Sequence, residues 1–240
     1  MSEPGAGGAI VRRDTLRSQL AEALRDEILA GRLEAGRHVT VKELAATYGV
    51  SATPVREALV DLSAQGLLDA EEHRGYQVHA FSAADFRAMV EARSVVTEGI
   101  FRSAAGAAID LRPADPAAVA AMRRRAEEAE RAARARDLDV LVHYDLRFWR
   151  EISGLSGNPY LTDFLDRMRI QCWVYAVPYL RRELRRTAGG EAGAAAPNPF
   201  WHGHRELVDA VESRDMAGAE AIIHAYNKHT LALIDQVTAE

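Results

Sequence analysis

Cysteine is almost missing from this 240-residue chain, whose sole cysteine, Cys172, lies beside Trp173 and Val174. A single thiol excludes an intramolecular disulfide and a metal cage built from several thiolates. The apolar neighbours of Cys172 predict that this side chain simply packs inside a helix.

Long hydrophobic runs are missing as well. No apolar stretch approaches the roughly 18 residues that a helix needs to span a bilayer. The N-terminal residues MSEPGAGGAI lack the charged and apolar regions of a signal peptide. We therefore expect a cytoplasmic protein without a membrane segment.

The sequence also lacks an excess of positive charge. The chain has 35 Asp and Glu against 30 Lys and Arg, for a net charge of −5. Bulk charge therefore does not indicate nucleic-acid binding, which must come from where individual charges lie. The 48% of hydrophobic residues supply a sizeable core, and the length favours two domains.

Three regions with different patterns follow one another along the chain. Residues 1–9 are rich in Gly, Ala, Ser and Pro and predict a disordered tail. Residues 10–80 show three helical stretches and then two short β segments around a turn at Arg74 and Gly75. Residues 81–240 are helical in pattern throughout. The fold class is therefore mainly α: an N-terminal winged helix-turn-helix of three helices and a β-hairpin, then a C-terminal all-α bundle.

The stretch SATPVREALVDL, residues 51–62, predicts a recognition helix. Its first turn offers the hydroxyls of Ser51 and Thr53, free backbone N–H groups and the positive end of the helix dipole, with Arg56 one turn further on. Pro54 fits the first turn, where a missing N–H costs nothing. From these residues alone, an ordinary packing helix with the same start is the alternative.

The region around this helix resembles the DNA-binding domain of the GntR family of bacterial transcription regulators. The resemblance covers Leu16 to Val78 and is carried by G-x-L-x-x-G, E-L-A, G-V-S-x-T-P-V-R-E-A-L, L-x-x-x-G-L-L and R-G, in that order. It implies that Lys42, Thr53 and Arg56 contact DNA and that the wing tip at Arg74 and Gly75 reaches the minor groove. One position departs from the family, which usually has Arg where this chain has Ala52, and this predicts an altered operator sequence.

Residues 81–240 resemble the ligand-sensing FCD domain of the FadR subfamily. The matching segments are D-L-R-F-W-R-E-I followed by G-N-P-Y-L, and H-R-E-L-V-D-A-V-E-S-R-D further on. The run RRRAEEAERAARAR, residues 123–136, places Arg and Glu at i,i+4 spacing and predicts a solvated helix face.

Helical projection predicts three inward polar side chains in this second region. Asp145 shares a face with Leu141, Phe148 and Ile152, and Arg93 and His204 likewise fall on apolar stripes of their own helices. Buried charges are costly unless paired. These groups therefore either satisfy one another, with Arg93 paired to Asp145, or await a ligand.

The resemblance implies a metal site of one Asp and three His, at the positions of Asp145, Trp149, His204 and Tyr226. Only a remnant of that set, Asp145 and His204, is present, and an indole cannot ligate. We therefore predict no cofactor and no metal. Zn or Ni would require other groups to complete the shell, whereas His202, His224 and His229 are all predicted to project away from it. Trp149 and Tyr226 instead predict a stacking wall and a phenolic hydrogen bond in an effector pocket, with Arg93 holding an anionic group.

Three functions are open to a chain with these residues. The first is a homodimeric repressor that binds a palindromic double-stranded DNA operator and responds to a small effector, expected to be a carboxylate. The second is an enzyme with Asp145 and His204 as acid and base and Arg93 as anion clamp. The third is an architectural DNA-binding protein. An enzyme does not explain the helix at residues 51–62, and an architectural protein does not need the second domain.

Overall fold

The computed structural model describes residues 6–72, 74–106, 116–188 and 200–238. The chain divides into two compact units, Met1–Phe81 and Ser82–Glu240. This division falls one residue after the expected boundary between residues 80 and 81. Within the described ranges, no helix is both long and apolar enough to cross a membrane.

The first unit begins with helix α1, Ala6–Leu29, which buries Leu20, Leu24 and Ile28 at helical spacing. The disordered tail predicted over residues 1–9 is therefore wrong for residues 6–9, and residues 1–5 lie outside the described part of the chain. Ala has the highest helix propensity, and extending an existing helix avoids the cost of nucleation. Extension of the existing helix therefore offsets the low helix propensity of Gly7 and Gly8.

Helix α2, Val41–Tyr48, is held at both ends by local signals. The side-chain oxygen of Thr40 accepts a hydrogen bond from the backbone N–H of Glu43 at 3.1 Å, and the helix ends at Gly49 in the left-handed conformation. Helix α3, Ala52–Ala64, follows after a short turn. The pair forms the helix-turn-helix that the sequence predicts.

One side of α3 is buried. Val55, Ala58, Leu59 and Leu62 are at most 1% exposed. This stripe packs toward α1, where Arg17 forms an ion pair with a residue of α3, Asp61, at 3.3 Å. The opposite side of α3 is left exposed.

A three-stranded antiparallel sheet completes the first unit. Strands β1, His38–Val39, β2, Leu68–Glu71, and β3, Gly75–Val78, are arranged in the order β1-β3-β2. The predicted hairpin corresponds to β2 and β3. Strand β1, in which Val39 pairs with Tyr76, was not predicted, because two residues are too few to show strand alternation.

The described part of the second unit is entirely helical, as predicted. Its helices are α4 Ala83–Ala105, α5 Pro116–Ala135, α6 Leu138–Gly154, α7 Pro159–Ala188, α8 His204–Glu212 and α9 Met216–Thr238. A capping box between Ser82 and Asp85 starts α4, and Asp137 caps α6. Helices α4, α6, α7 and α9 and the start of α8 contribute the side chains around a central cavity.

Helix α5 is less solvated than the charge pattern predicts. Glu130 is only 2% exposed, and its carboxylate accepts hydrogen bonds from the backbone N–H of Arg205 at 2.9 Å and from the Arg205 Nε at 2.7 Å. A carboxylate at this place satisfies a free N–H of the first turn of α8 and complements its dipole. Glu130 thereby fixes the start of the helix that carries His204.

Candidate functional site

The residues predicted to contact DNA lie on three elements of the first unit. Lys42 lies in the first turn of α2, and Ser51, Thr53 and Arg56 lie at the start of α3. Arg74 directly precedes β3, and Gly75 is the first residue of that strand. Five of the six are exposed, and Gly75 is partly buried. Within the described residues, the three cations form no ion pair. Unpaired surface cations are free to bind phosphates or base edges.

The start of α3 has polar groups that the fold itself does not use. Ser51 is the N-cap residue, yet its side chain accepts no capping hydrogen bond. Pro54 is buried in the first turn and fixes the backbone there. The Ser51 hydroxyl and the first N–H groups of α3 are therefore available to a ligand such as a phosphate.

The first position of β3 requires glycine. Gly75 has a φ of 97°, and a Cβ added to it would lie 2.7 Å from the carbonyl oxygen of Val39 in β1. No side chain fits in that space without moving the backbone. The close approach holds the wing against β1 and leaves Arg74 exposed beside it.

The second unit contains a cavity of about 60 Å³. Most of its lining is apolar, with polar groups at a few places. The lining residues used below are Arg93, Asp145, Cys172, Trp173, Trp201, His204, Tyr226 and His229. Four of the five residues predicted to bind an effector are therefore brought together, and Trp149 lies just outside the lining.

Asp145 lies at the centre of a polar cluster. Its other members are Trp149, Arg169, Trp173, His204 and Tyr226. Its carboxylate, 2% exposed, accepts hydrogen bonds from the Nε1 atoms of Trp149 at 3.0 Å and Trp173 at 2.8 Å. His204 Nε2 lies 3.1 Å from the same carboxylate and must donate, because an ionised carboxylate only accepts. The buried Nδ1 atom of His204 has no partner within the described residues.

A second arginine supplies the positive charge near Asp145. Arg169 NH1 lies 3.9 Å from Asp145 Oδ2 and donates a hydrogen bond of 2.8 Å to the Tyr226 hydroxyl. The carboxyl is ionised although burial opposes this, because the hydrogen bond with His204 and the charge of Arg169 keep the pKa of Asp145 below its ordinary value. Burial lowers the pKa of Arg169, while Tyr226 and Asp145 oppose that shift.

Arg93 does not pair with Asp145. Its guanidinium is 1% exposed and donates from NH2 to Asn227 Oδ1 at 3.1 Å, and it lies over the Tyr226 ring at 5.2 Å. The Nε atom of Arg93 is buried without a partner among the described residues. The alternative in which the inward charges cancel as an Arg93–Asp145 pair is therefore wrong, because Arg169 lies closer to the carboxylate.

Trp149 packs within the polar cluster and is not part of the cavity wall. Its ring is 1% exposed, the Arg169 guanidinium lies 4.0 Å from the ring centre, and the Tyr226 ring lies 4.9 Å away. A face already covered by a guanidinium is not open to a ligand, so the predicted stacking role does not fit Trp149. Trp201 and Trp173 are the indoles that line the cavity.

The donors present do not fit a transition-metal ion. Of the four implied positions, only Asp145 and His204 carry the carboxylate and imidazole of the metal set, and these two are hydrogen-bonded to each other. The Tyr226 hydroxyl accepts a hydrogen bond from Arg169. Within the described ranges, no three His, Cys, Asp or Glu side chains are grouped to hold a metal. Arg169 also places a positive charge beside the carboxylate.

The remaining histidines do not complete such a shell. His224 is 69% exposed and pairs with Glu98, and His202 is exposed, with its Nδ1 atom 2.8 Å from the Phe200 carbonyl. His229 was predicted to project away, but it lines the cavity. That prediction was wrong because the lining of α9 includes Thr230 and Leu233, which extends its inward stripe beyond the face through Tyr226.

Arg169 and Trp173 contact Asp145 but were not predicted from the sequence. Both lie in α7, where Leu165, Cys172 and Ala176 are buried at helical spacing. The projection that identified Asp145 places Arg169 on this same stripe. The sequence of α7 alone therefore predicts that Arg169 faces the interior. It does not predict that Arg169 contacts Asp145 of α6 and Tyr226 of α9.

Cys172 does not provide a nucleophile for the enzyme alternative. The thiol is 4% exposed and lines the cavity. Burial raises the pKa of Cys172 despite the nearby charges of Arg93 and Arg169, so the thiol stays protonated at neutral pH. This agrees with the packing role predicted from its apolar neighbours.

Two family descriptions match the chain in the order of its two units. Residues 16–78 match the bacterial regulatory proteins of the gntR family, and residues 84–229 match the FCD domain. The second match alone covers more than half of the chain. The first description is of bacterial regulatory proteins and not of enzymes.

Known relatives agree with this assignment. The chain is 42% identical over 88 residues to a probable D-xylose utilization operon transcriptional repressor of Paenarthrobacter nicotinovorans, a match that spans 37% of this chain and only 38% of that protein. It is 24% identical over 219 residues to the HTH-type transcriptional repressor GlaR of Escherichia coli strain K12, covering 90% and 94% of the two chains. The solved structure of McbR/YncC from E. coli has the same fold, with a TM-score of 0.69 at 21% identity over 92% of this chain and 98% of that one. The chain therefore belongs to the GntR family of bacterial transcription regulators, with a winged helix-turn-helix that binds DNA followed by an FCD domain that binds a small molecule.

Proposed function

We propose that this regulator is a homodimeric repressor that releases a palindromic operator when a small organic acid binds in the cavity of its FCD domain. The observation that carries the proposal is the state of Arg93, which is 1% exposed, lines the cavity and has an Nε atom without a partner among the described residues. A buried cation that lacks a carboxylate is costly. An anionic ligand supplies the missing partner.

The cavity also limits the rest of the effector. A cavity needs about 10–15 Å³ to hold one water, so about 60 Å³ holds several waters or a small organic acid. Apolar side chains, including Phe86, Leu141, Leu180 and Ile234, form most of the wall. A carboxylate with a short apolar body therefore complements the cavity.

Two copies of the chain are proposed because one recognition helix contacts few base pairs. Two α3 helices related by a dyad read a palindrome with half-sites about one helical turn apart. Lys42, Arg56 and the wing residue Arg74 would then bind the phosphates and base edges of each half-site.

Coupling between effector and operator would pass through α4. This helix carries Arg93 and follows β3 in the sequence after residues 79–82. An anion captured by Arg93 would shift α4 and alter the spacing of the two recognition helices. A coupling of about 1–3 kcal/mol is enough to change operator affinity 5- to 150-fold.

The test replaces Arg93 in the full chain. A duplex is selected from random DNA by the wild-type protein, and its affinity is measured with and without straight-chain monocarboxylates or benzoate. We expect at least one acid to weaken binding by the wild type, while Arg93→Gln binds the duplex equally well and no longer responds. The primary amides of the same acids are the matched controls and should have no effect on either protein.

Two results would contradict this proposal. An Arg93→Gln protein with the wild-type response would exclude Arg93 as the anchor of the effector. An amide that acts as strongly as its acid would exclude recognition by charge. Circular dichroism of the variant distinguishes a lost response from a lost fold.

A further inference from the structure

The second buried arginine, Arg169, lies where three of the four positions implied for a metal site meet. Its guanidinium carbon is 4.0 Å from the centre of the Trp149 ring and 5.4 Å from that of Tyr226. NH1 donates to the Tyr226 hydroxyl at 2.8 Å and lies 3.9 Å from Asp145 Oδ2. The side chain is about 5% exposed.

We propose that the guanidinium of Arg169 takes the place of a metal ion in this domain, so that the cluster is held by a cation that belongs to the chain itself. This role of Arg169 is independent of which effector binds in the cavity.

Trp149 and Tyr226, the two residues that differ from the implied metal set, both support this proposal. Trp149 and Tyr226 remove two ligands, and both rings present what a guanidinium binds: a π face and, in Tyr226, a hydroxyl oxygen that accepts a hydrogen bond. The indole Nε1 of Trp149 also donates to Asp145. The same two side chains that exclude a metal therefore form the site for Arg169.

The charges of the cluster agree with this assignment. Asp145 is a fully buried carboxylate that needs a positive partner, and among the described residues Arg169 is the arginine or lysine closest to it. Arg169 is in turn committed to Asp145, Trp149 and Tyr226. Of these two buried arginines, Arg93 is the one without a carboxylate, so the cavity can attract an anion without a metal.

The first experiment rebuilds the metal site with and without Arg169. Trp149→His with Tyr226→His restores one Asp and three His, and a second variant adds Arg169→Met. Each full-length protein is titrated with Ni²⁺ alone. We expect the Arg169→Met form to bind one Ni²⁺ per chain and the form that keeps Arg169 to bind on the order of 100-fold more weakly, because the guanidinium repels the ion from the carboxylate.

The control for this experiment is Trp149→Phe, Tyr226→Phe and Arg169→Met together, which lacks the imidazoles and should not bind Ni²⁺. Equal affinity of the two imidazole variants would overturn the proposal. So would weak binding by both, since the four positions would then not enclose one site.

A second experiment uses a simpler variant, in case the multiple changes prevent folding. Arg169→Ala leaves a hole shaped for a planar cation. We expect low millimolar guanidinium to raise its melting temperature by about 2–4 °C, because a ligand that binds only the folded state stabilises it. Urea, which has a similar shape without the charge, should not raise it, and the wild type should respond to neither.

Rescue by urea as strong as that by guanidinium would show a merely filled cavity and overturn the proposal. Absence of any rescue in a folded Arg169→Ala protein would also overturn it. Neither experiment contains DNA or an organic acid, so their failure is distinct from failure of the proposed effector response.

Discussion

The two units of this regulator differ in whether their important polar groups face solvent or the interior. In the first unit Lys42, Arg56 and Arg74 are exposed and have no ion-pair partner among the described residues. In the second unit Asp145 and Arg169 are almost completely buried and depend on each other. Exposed cations cost the fold nothing, whereas buried charges must be paired. Substitutions of these exposed cations should therefore affect binding alone, whereas substitutions of Asp145 or Arg169 should affect stability.

The largest effect is expected at Asp145. Asp145→Ala leaves Arg169 without its carboxylate and removes the acceptor of His204 and two indoles, and the loss of one partner of a buried pair costs about 3–5 kcal/mol. We expect a large decrease in the melting temperature of the second unit, measured by circular dichroism. Asp139→Ala is the control on the same helix, because Asp139 is 74% exposed and its contact with Arg181 contributes only about 0–1 kcal/mol. Equal effects of the two substitutions would remove the proposed contrast between surface and interior.

The pH dependence of stability is a second check on Asp145. Its pKa is lowered in the folded state, so its stabilising effect is fully present above the unfolded pKa of about 3.9 and is lost as the pH falls through the folded value. We expect the wild type to lose stability on acidification over this range. Asp145→Asn should be less stable near neutral pH and should show a smaller acid dependence.

Loss of DNA affinity without loss of stability is expected in the first unit. Lys42→Ala and Arg56→Ala should each weaken binding to the selected duplex by about 1–3 kcal/mol, because each removes a phosphate or base contact. Melting temperatures should remain unchanged. Arg131→Ala, which changes an exposed cation of the second unit, controls for the change in total charge. Unchanged affinity in both variants would contradict the proposed docking of α3.

The sequence predicted the first unit well because its signals are local. Capping at Thr40, the stop at Gly49 and the apolar stripe of α3 each lie within a few residues of the element they specify. Two features were not predicted: the two-residue strand β1 and the N-terminal extension of α1 over residues 6–9. Both depend on what the neighbouring segment does, which a short pattern does not contain.

The second unit was predicted less completely because its site is made by contacts between distant helices. Periodicity placed Arg93, Asp145 and His204 inside, and all three are buried. Periodicity could not predict the partners of the buried groups, because these partners are distant in the sequence. Arg93 donates to Asn227, 134 residues away, and Arg169 donates to Tyr226, 57 residues away. Whether a side chain points inward depends on the sequence of its own helix. Which residue it then contacts depends on how the helices pack together.

A substitution in the wing tests whether packing constrains a position of the first unit as tightly as it constrains the interior of the second. Gly75→Ala places a Cβ 2.7 Å from the Val39 carbonyl oxygen at a φ of 97°, and we expect it to cost about 1–3 kcal/mol of stability. Gly36→Ala shares the positive φ, 81°, but its Cβ would meet nothing within 4 Å. The difference between the two variants in denaturant unfolding isolates the contact with β1. Equal costs would show that conformation alone requires glycine at the wing.

The smallest predicted effect separates two helix starts of similar sequence. Thr40 caps α2 through a hydrogen bond from Glu43, whereas the Ser51 side chain makes no capping bond to α3. Thr40→Ala should therefore lower the free energy of unfolding by about 1 kcal/mol, and Ser51→Ala should leave it nearly unchanged. DNA affinity is expected to show the opposite order, because the hydroxyl that the fold does not use is the one proposed to meet a phosphate. Unfolding in urea and binding to the selected duplex, measured on both variants, test this reversal. If Ser51→Ala instead costs as much stability as Thr40→Ala and binds DNA normally, Ser51 is an ordinary helix cap, and the DNA contacts of α3 begin at Thr53.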